Sequence, residues 1–256
     1  MFKYSEDRMP VFIILSISVV DFYLYFQLNN PWLLALYWAI MIVPKGKLCA
    51  WNHHHQHNYT FKFAALNRLL EFFYALHSGV TTNLWRLHHV LGHHMNYLDQ
   101  TKDESRWTRS DGSKMGEFEY SFIVAATAYY RGYLVGKSHP KIQREYLLYS
   151  ALTFLIVGLL IFYKPVAGLF LFALPMISGL LLTAWATYEH HAGLDLKDGF
   201  EASNNNVHPF FNLTTGNLGY HTAHHYMQGV HWSKLPALHE QIKDRIPQHL
   251  IKASWF

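Results

Sequence analysis

Two stretches without a single charged residue, 146–163 and 166–188, follow one another with only Lys164 and Pro165 between them. A helix needs about 20 mostly apolar residues to cross a bilayer's hydrocarbon core. Only structures that satisfy their own backbone polar groups can do so, which makes helices the expectation here. Pro175 lies inside the second stretch and is tolerable there as a kink. Nearer the N-terminus, 11–28 carries one charge, Asp21, and 32–44 is apolar but short. The shorter run reaches full length only if its helix continues past Pro44 through Lys45, Lys47 and Trp51, with the lysines snorkelling outward. A charge such as Asp21 is costly in lipid, so it should face a substrate tunnel or pair with a neighbouring helix. Residues 1–10 are polar and no small-residue cleavage site follows the first apolar run, so that run reads as a retained span. The expected architecture is an all-α integral membrane protein forming one domain over 1–256. Its four transmembrane helices fall at about 11–28, 32–51, 146–163 and 166–188, in two hairpins.

Basic residues give the orientation. Of 21 Lys and Arg, 20 fall on the side shared by both termini, and Lys164 alone falls on the other. Excess positive charge marks the cytosolic side. The reading is therefore both termini in the cytosol, with a helical cap built from 52–145 and 189–256. Within the cap, Leu66, Leu69, Leu70 and Phe73 form one apolar helical stripe. Phe118, Phe122, Ala125, Tyr129 and Tyr133 form another. Both suit helices lying in the membrane interface, and equally the cap's own core. The charged stretch 99–117 contains Asp111-Gly112 and reads as a loop. Its Lys102, Arg106, Arg109 and Lys114 suit a solvated face, with a docking surface as the alternative. A single cysteine, Cys49, excludes a disulfide framework. A formal charge of +4, scattered and without a basic arm or zinc-finger spacing, argues against nucleic acid.

Histidine carries the chemistry. Thirteen of 19 histidines sit in four clusters: His53-His54-His55-Gln56-His57, His88-His89-Val90-Leu91-Gly92-His93-His94, His190-His191 and His221-Thr222-Ala223-His224-His225. Residues three or four apart share a helix face, so His53/His57, His89/His93 and His221/His224/His225 can each converge on one point. His53–His57 directly follow the second span and His190 the fourth, and the other two clusters lie in the segments on the same basic side, so all four should meet at one lipid boundary. One ligand set per cluster gives nine imidazoles, too many for one zinc but suited to two metal ions. Imidazole accepts Zn, Cu, Fe and Ni alike, so the residues leave the metal open. A membrane metal transporter would place its ligands within the spans rather than beyond them. Asn217 and Glu189 are candidate partners for the ligands' other ring nitrogens, as are Asp99, Asp103 and Glu104. His54 and His55 read as solvent-facing, and His88 as a packing or supporting residue. His77, His139, His208, His231, His239 and His249 stand alone and read as packing or surface residues.

The order His-x-x-x-His, His-x-x-x-His-His, His-x-x-His-His around four spans resembles the integral-membrane fatty acid desaturase and hydroxylase superfamily. The resemblance runs from about Trp51 to Pro236, including Asn217-Leu218-Gly219-Tyr220 and Trp232-Ser233-Lys234-Leu235-Pro236. It implies a diiron centre that activates O2 against a C–H bond of a lipid acyl chain. The implied ligands are His53, His57, His89, His93, His94, His221, His224 and His225. Glu189-His190 resembles the Glu-His of the alkane hydroxylase branch, which makes His190 the ninth and His191 its rival. The implied activity is desaturation of an acyl-lipid, acyl-CoA or acyl-carrier substrate. Hydroxylation of a lipid, alkane, sterol or carotenoid, or fatty acid decarboxylation, is the alternative. The chain carries no haem, flavin or iron–sulfur module, so electrons are expected from a separate ferredoxin, rubredoxin or cytochrome. The expected location is a bacterial inner membrane or the endoplasmic reticulum.

Overall fold

A computed structural model describes residues 1–254. The fold is helical. Its only strands among the described residues are a two-residue parallel pair, Asn205–Asn206 with Ile251–Lys252. Four helices are long and apolar enough to cross a membrane. They are α1 (Arg8–Gln27), α2 (Pro31–His57), α5 (Pro140–Tyr163) and α6 (Pro165–His191). Between α2 and α5 lie α3 (Ala64–Ser78), a π-helix (Arg86–His93) and α4 (Glu117–Gly136). After α6 come the short helices α7 (Pro209–Thr215), α8 (His221–Tyr226) and α9 (Leu235–Ile242).

Proline sets the start of three of the long helices. Pro31, Pro140 and Pro165 each occupy the first turn, where a missing N–H costs nothing. Asn30 completes the start of α2 by accepting from the N–H groups of Trp32 and Leu33. Once begun, α2 runs unbroken through Pro44 to His57, so the first histidine cluster is part of the span's own helix. In α6, Pro175 removes a donor and crowds the carbonyl one turn back. The preceding residues Leu169–Ala173 widen into a π turn in which the Leu174 N–H reaches back five residues to Leu169. Large apolar side chains face outward along these helices, among them Phe12, Trp32, Ile40, Leu155 and Phe162.

The polar residues of the spans turn inward. Asp21 is fully buried and accepts hydrogen bonds from Tyr37 and from Lys45, each at 2.7 Å. The expected snorkelling of Lys45 is corrected: its stem points into the helix packing because Asp21 waits there, and only 3% of it is exposed. His77 of α3 joins this group, with Nδ1 at 3.5 Å from Asp21 and Nε2 at 2.9 Å from the Ser18 hydroxyl. The lone histidine is thus a polar core residue.

Of the two readings open for α3, the core reading fits its second half: its last two turns are enclosed between α1, α2 and α6, with Tyr74, Ala75, Leu76 and His77 buried. Two glycines permit the crossing with α6. A Cβ on Gly79 would come within 2.2 Å of the Met176 carbonyl oxygen, and one on Gly179 within 2.3 Å of that of His77. Of the expected α3 stripe, Leu70 is buried and Leu69 exposed. α4 keeps a divided face: Tyr120, Val124 and Ala125 pack on Ala184 and Tyr188 of α6, while Phe118 and Phe122 project outward.

Removing one member of a buried ion pair typically costs about 3–5 kcal/mol, because the other charge is left uncompensated. Lys45→Met should therefore lower the unfolding midpoint in detergent sharply, and the double variant Asp21→Leu/Lys45→Met should recover most of the loss. Equal midpoints for the single variant and the parent would show that the pair contributes nothing.

Candidate metal centre

Four elements deliver histidines to one place: the end of α2, the π-helix with His94, the end of α6, and α8. They form two adjoining groups. In the first, one ring nitrogen from each of His53, His57, His89, His94 and His224 lies within 4.8 Å of all the others. The second joins His93, His191 and His225 under the same limit. His221 adjoins the second group, with Nε2 at 3.0 Å from that of His191. The groups meet where the rings of His94 and His225 stack at 4.1 Å.

Backbone geometry decides which histidine enters which group. His53 and His57 are one α-helical turn apart and converge as their spacing implies. The second cluster departs from that rule. In the π-helix the His94 N–H bonds to the His89 carbonyl, five residues back, at 2.8 Å. The widened turn aligns His89 with His94, whose Nε2 atoms are 2.9 Å apart. His93 is thereby turned into the other group, so the expected convergence of His89 with His93 is replaced by a split. α8 is divided likewise: His224 faces the first group, with Nε2 at 2.8 Å from that of His53, while His221 and His225 face the second.

Supporting contacts fix several rings. His93 Nδ1 donates to Asp103 at 2.8 Å, both side chains being 1% exposed, and that carboxylate oxygen also accepts from the Ser105 N–H at 2.7 Å. His191 Nδ1 donates to the Ala202 carbonyl at 2.8 Å. Each bond consumes the Nδ1 proton and leaves the Nε2 lone pair facing the group. His190 is placed differently. Its Nδ1 lies 3.3 Å from the Asn204 carbonyl and its ring stacks flat on His221 at 3.8 Å. The structure thus brings His191, not His190, into the second group.

Neither the Asn217 nor the Glu189 side chain contacts a ring of either group. The Asn217 amide donates to the Trp232 carbonyl, and its φ of 62° helps turn the chain into α8. Glu189 is partly exposed and lies 4.0 Å from Lys252. Asp103 makes that contact; ten residues beyond His93 in a loop, it had no sequence signal to separate it from Asp99 or Glu104. The reading of His54 and His55 as solvent-facing is also corrected. His54 Nε2 lies 3.3 Å from the Thr215 carbonyl, and His55 is enclosed between Thr60 and Glu71. His88 stacks on Trp85 and packs, with neither ring nitrogen hydrogen-bonded.

The donor set fits metal ions. Nε2 of His57 and both ring nitrogens of His225 are buried with no hydrogen-bond partner among the described residues, although buried polar atoms are nearly always paired. Burial first, and the neighbouring imidazoles second, push His89, His94, His221, His224 and His225 well below the usual imidazole range. They are neutral near pH 7, the form that binds metal.

Four span-length apolar helices closed by paired groups of neutral imidazoles define a histidine-rich protein able to hold metal. The family model for fatty acid desaturases matches residues 29–256, and the chain belongs to that family. Neither curated proteins nor solved structures gave a match.

Because these imidazoles are held below the unfolded value of about 6.5, the unfolded chain takes up protons that the folded one refuses. Their contribution is complete above that pH and is lost as pH falls through it. The unfolding midpoint of metal-free protein should drop steadily from pH 7 to pH 5. A flat or rising midpoint over this window would contradict the burial of neutral rings.

Proposed function

We propose that the protein is an O2-dependent acyl-chain desaturase that uses two iron ions, held at the two histidine groups. The observation that carries this reading is the pairing itself: two adjoining imidazole groups, built from four elements and sharing the π-helix and α8. Family membership supports iron and a lipid substrate over the other metals that imidazole accepts. Bound iron would activate O2, which with two electrons from a carrier protein and two protons would be reduced to two waters as adjacent carbons of the chain lose two hydrogens.

The protein's own residues do the positioning. His53, His57, His89, His94 and His224 would hold one ion, and His93, His191, His221 and His225 the other. Asp103 and the Ala202 carbonyl hold the Nδ1 protons of His93 and His191, so that both rings present lone pairs inward. His190 braces His221 by stacking. Trp85, lying nearly parallel to the rings of His88 and His89, closes one side against water. The lysine and arginine distribution supports cytosolic termini, and with that orientation the centre would lie at the cytosolic membrane boundary. Electrons would arrive there from a separate carrier protein, and the acyl chain from the bilayer.

His191 separates this assignment from its rival. His93→Ala and His191→Ala should each lower iron content and abolish turnover, whereas His190→Ala should keep most of the iron. Iron loss confined to His190→Ala would reverse the assignment. The reaction is tested by mass spectrometry of lipids from cells expressing the protein. Loss of two hydrogens from an acyl chain is the expected product, dependent on His93. Gain of one oxygen would make the enzyme a hydroxylase, and a shortened terminal alkene a decarboxylase.

A further inference from the structure

Three cations surround one aromatic ring beside the first histidine group. Tyr59 follows His57 by two residues, and its ring lies 5.4 Å from that of His55. Lys3 Nζ, the Arg68 guanidinium and the Arg86 guanidinium stand 5.7, 5.4 and 5.7 Å from the Tyr59 ring centre. Arg68 and Arg86 also donate to the Tyr59 hydroxyl at 3.3 and 3.0 Å. Like charges gathered this closely repel unless an anion balances them.

The nearby carboxylates do not balance all three. Glu71 and Glu145 both pair with Arg68, and Glu71 also lies 3.6 Å from His55. Among the described residues neither Arg86 nor Lys3 forms an ion pair. Arg86 is partly buried and has one hydrogen-bond acceptor, the Tyr59 oxygen, so most of its donor fork is unused. A guanidinium in that condition is shaped to take a phosphate or carboxylate through paired bonds.

The cluster's height narrows the anion. Glu145 lies in the second turn of α5, one of the four span-length helices, and Arg68 in the second turn of α3. The cations therefore ring the end of the apolar helix packing, where the head groups of a bilayer crossed by these helices would lie. Arg86 opens the π-helix and stands three residues before His89, so an anion held there sits about one turn from the first histidine group.

We propose that Lys3 and Arg86, beside Tyr59, form a binding site for the phosphate or carboxylate head group of an acyl lipid. The substrate class is then an anionic acyl lipid rather than a neutral hydrocarbon. This rests on the acyl-chain reading above, but binding is measured on metal-free protein and so fails or succeeds apart from turnover.

The full-length protein in detergent is titrated with phosphatidylglycerol, palmitate and phosphatidylcholine, with binding read by native mass spectrometry. At least one of the two anionic ligands should bind about tenfold tighter than phosphatidylcholine, the size expected of one charge-assisted bond. Preference for phosphatidylglycerol identifies a phosphate head group, and preference for palmitate a free carboxylate. The preference should weaken with salt and vanish in Lys3→Gln/Arg86→Gln, while Arg86→Lys keeps part of it. Equal binding of all three lipids by the parent protein overturns the proposal, as does a preference that survives in the double variant. If the double variant does not fold, the salt series on the parent protein decides: a preference unmoved by salt overturns the site.

Discussion

Desolvated neutral imidazole is the constraint on which this architecture turns. A ring buried without a partner for its second nitrogen is costly, and here many such rings crowd together. The surrounding structure offsets that cost from outside by pinning Nδ1 protons on Asp103 and on backbone carbonyls. The lone pairs left inside are what metal ions require. The apolar helices supply the rigidity: α2 and α6 each run directly into their histidines without an intervening loop, so the rings inherit the order of the spans.

Much of this was readable in the residues. The four long helices follow from the uncharged runs, and proline at their starts sharpens the boundaries. The gathering of all four clusters followed from their positions beyond those runs. What escaped was geometry that departs from the ordinary helical period. Reasoning from 3.6 residues per turn paired His89 with His93, whereas the π turn pairs His89 with His94. Nothing in Arg86-Leu87-His88-His89 announces a widened helix.

The other differences come from partners distant in sequence. Lys45, at the end of the apolar run 32–44, is expected to reach outward, and only its meeting with Asp21, 24 residues earlier, draws it in. From their place in the first cluster, His54 and His55 read as solvent-facing. Thr215 and Glu71 enclose them from elements that composition cannot bring together. His190 and His191 differ by about 100° of rotation on one helix, and a motif match cannot resolve which of the two points inward.

The six residues of α8 touch both histidine groups, with His224 on one flank and His221 and His225 on the other. The spacing between the two groups is accordingly tied to the width of a single helical rod. Any tilt of that rod toward one group draws it from the other, so the two groups could be reshaped only in concert.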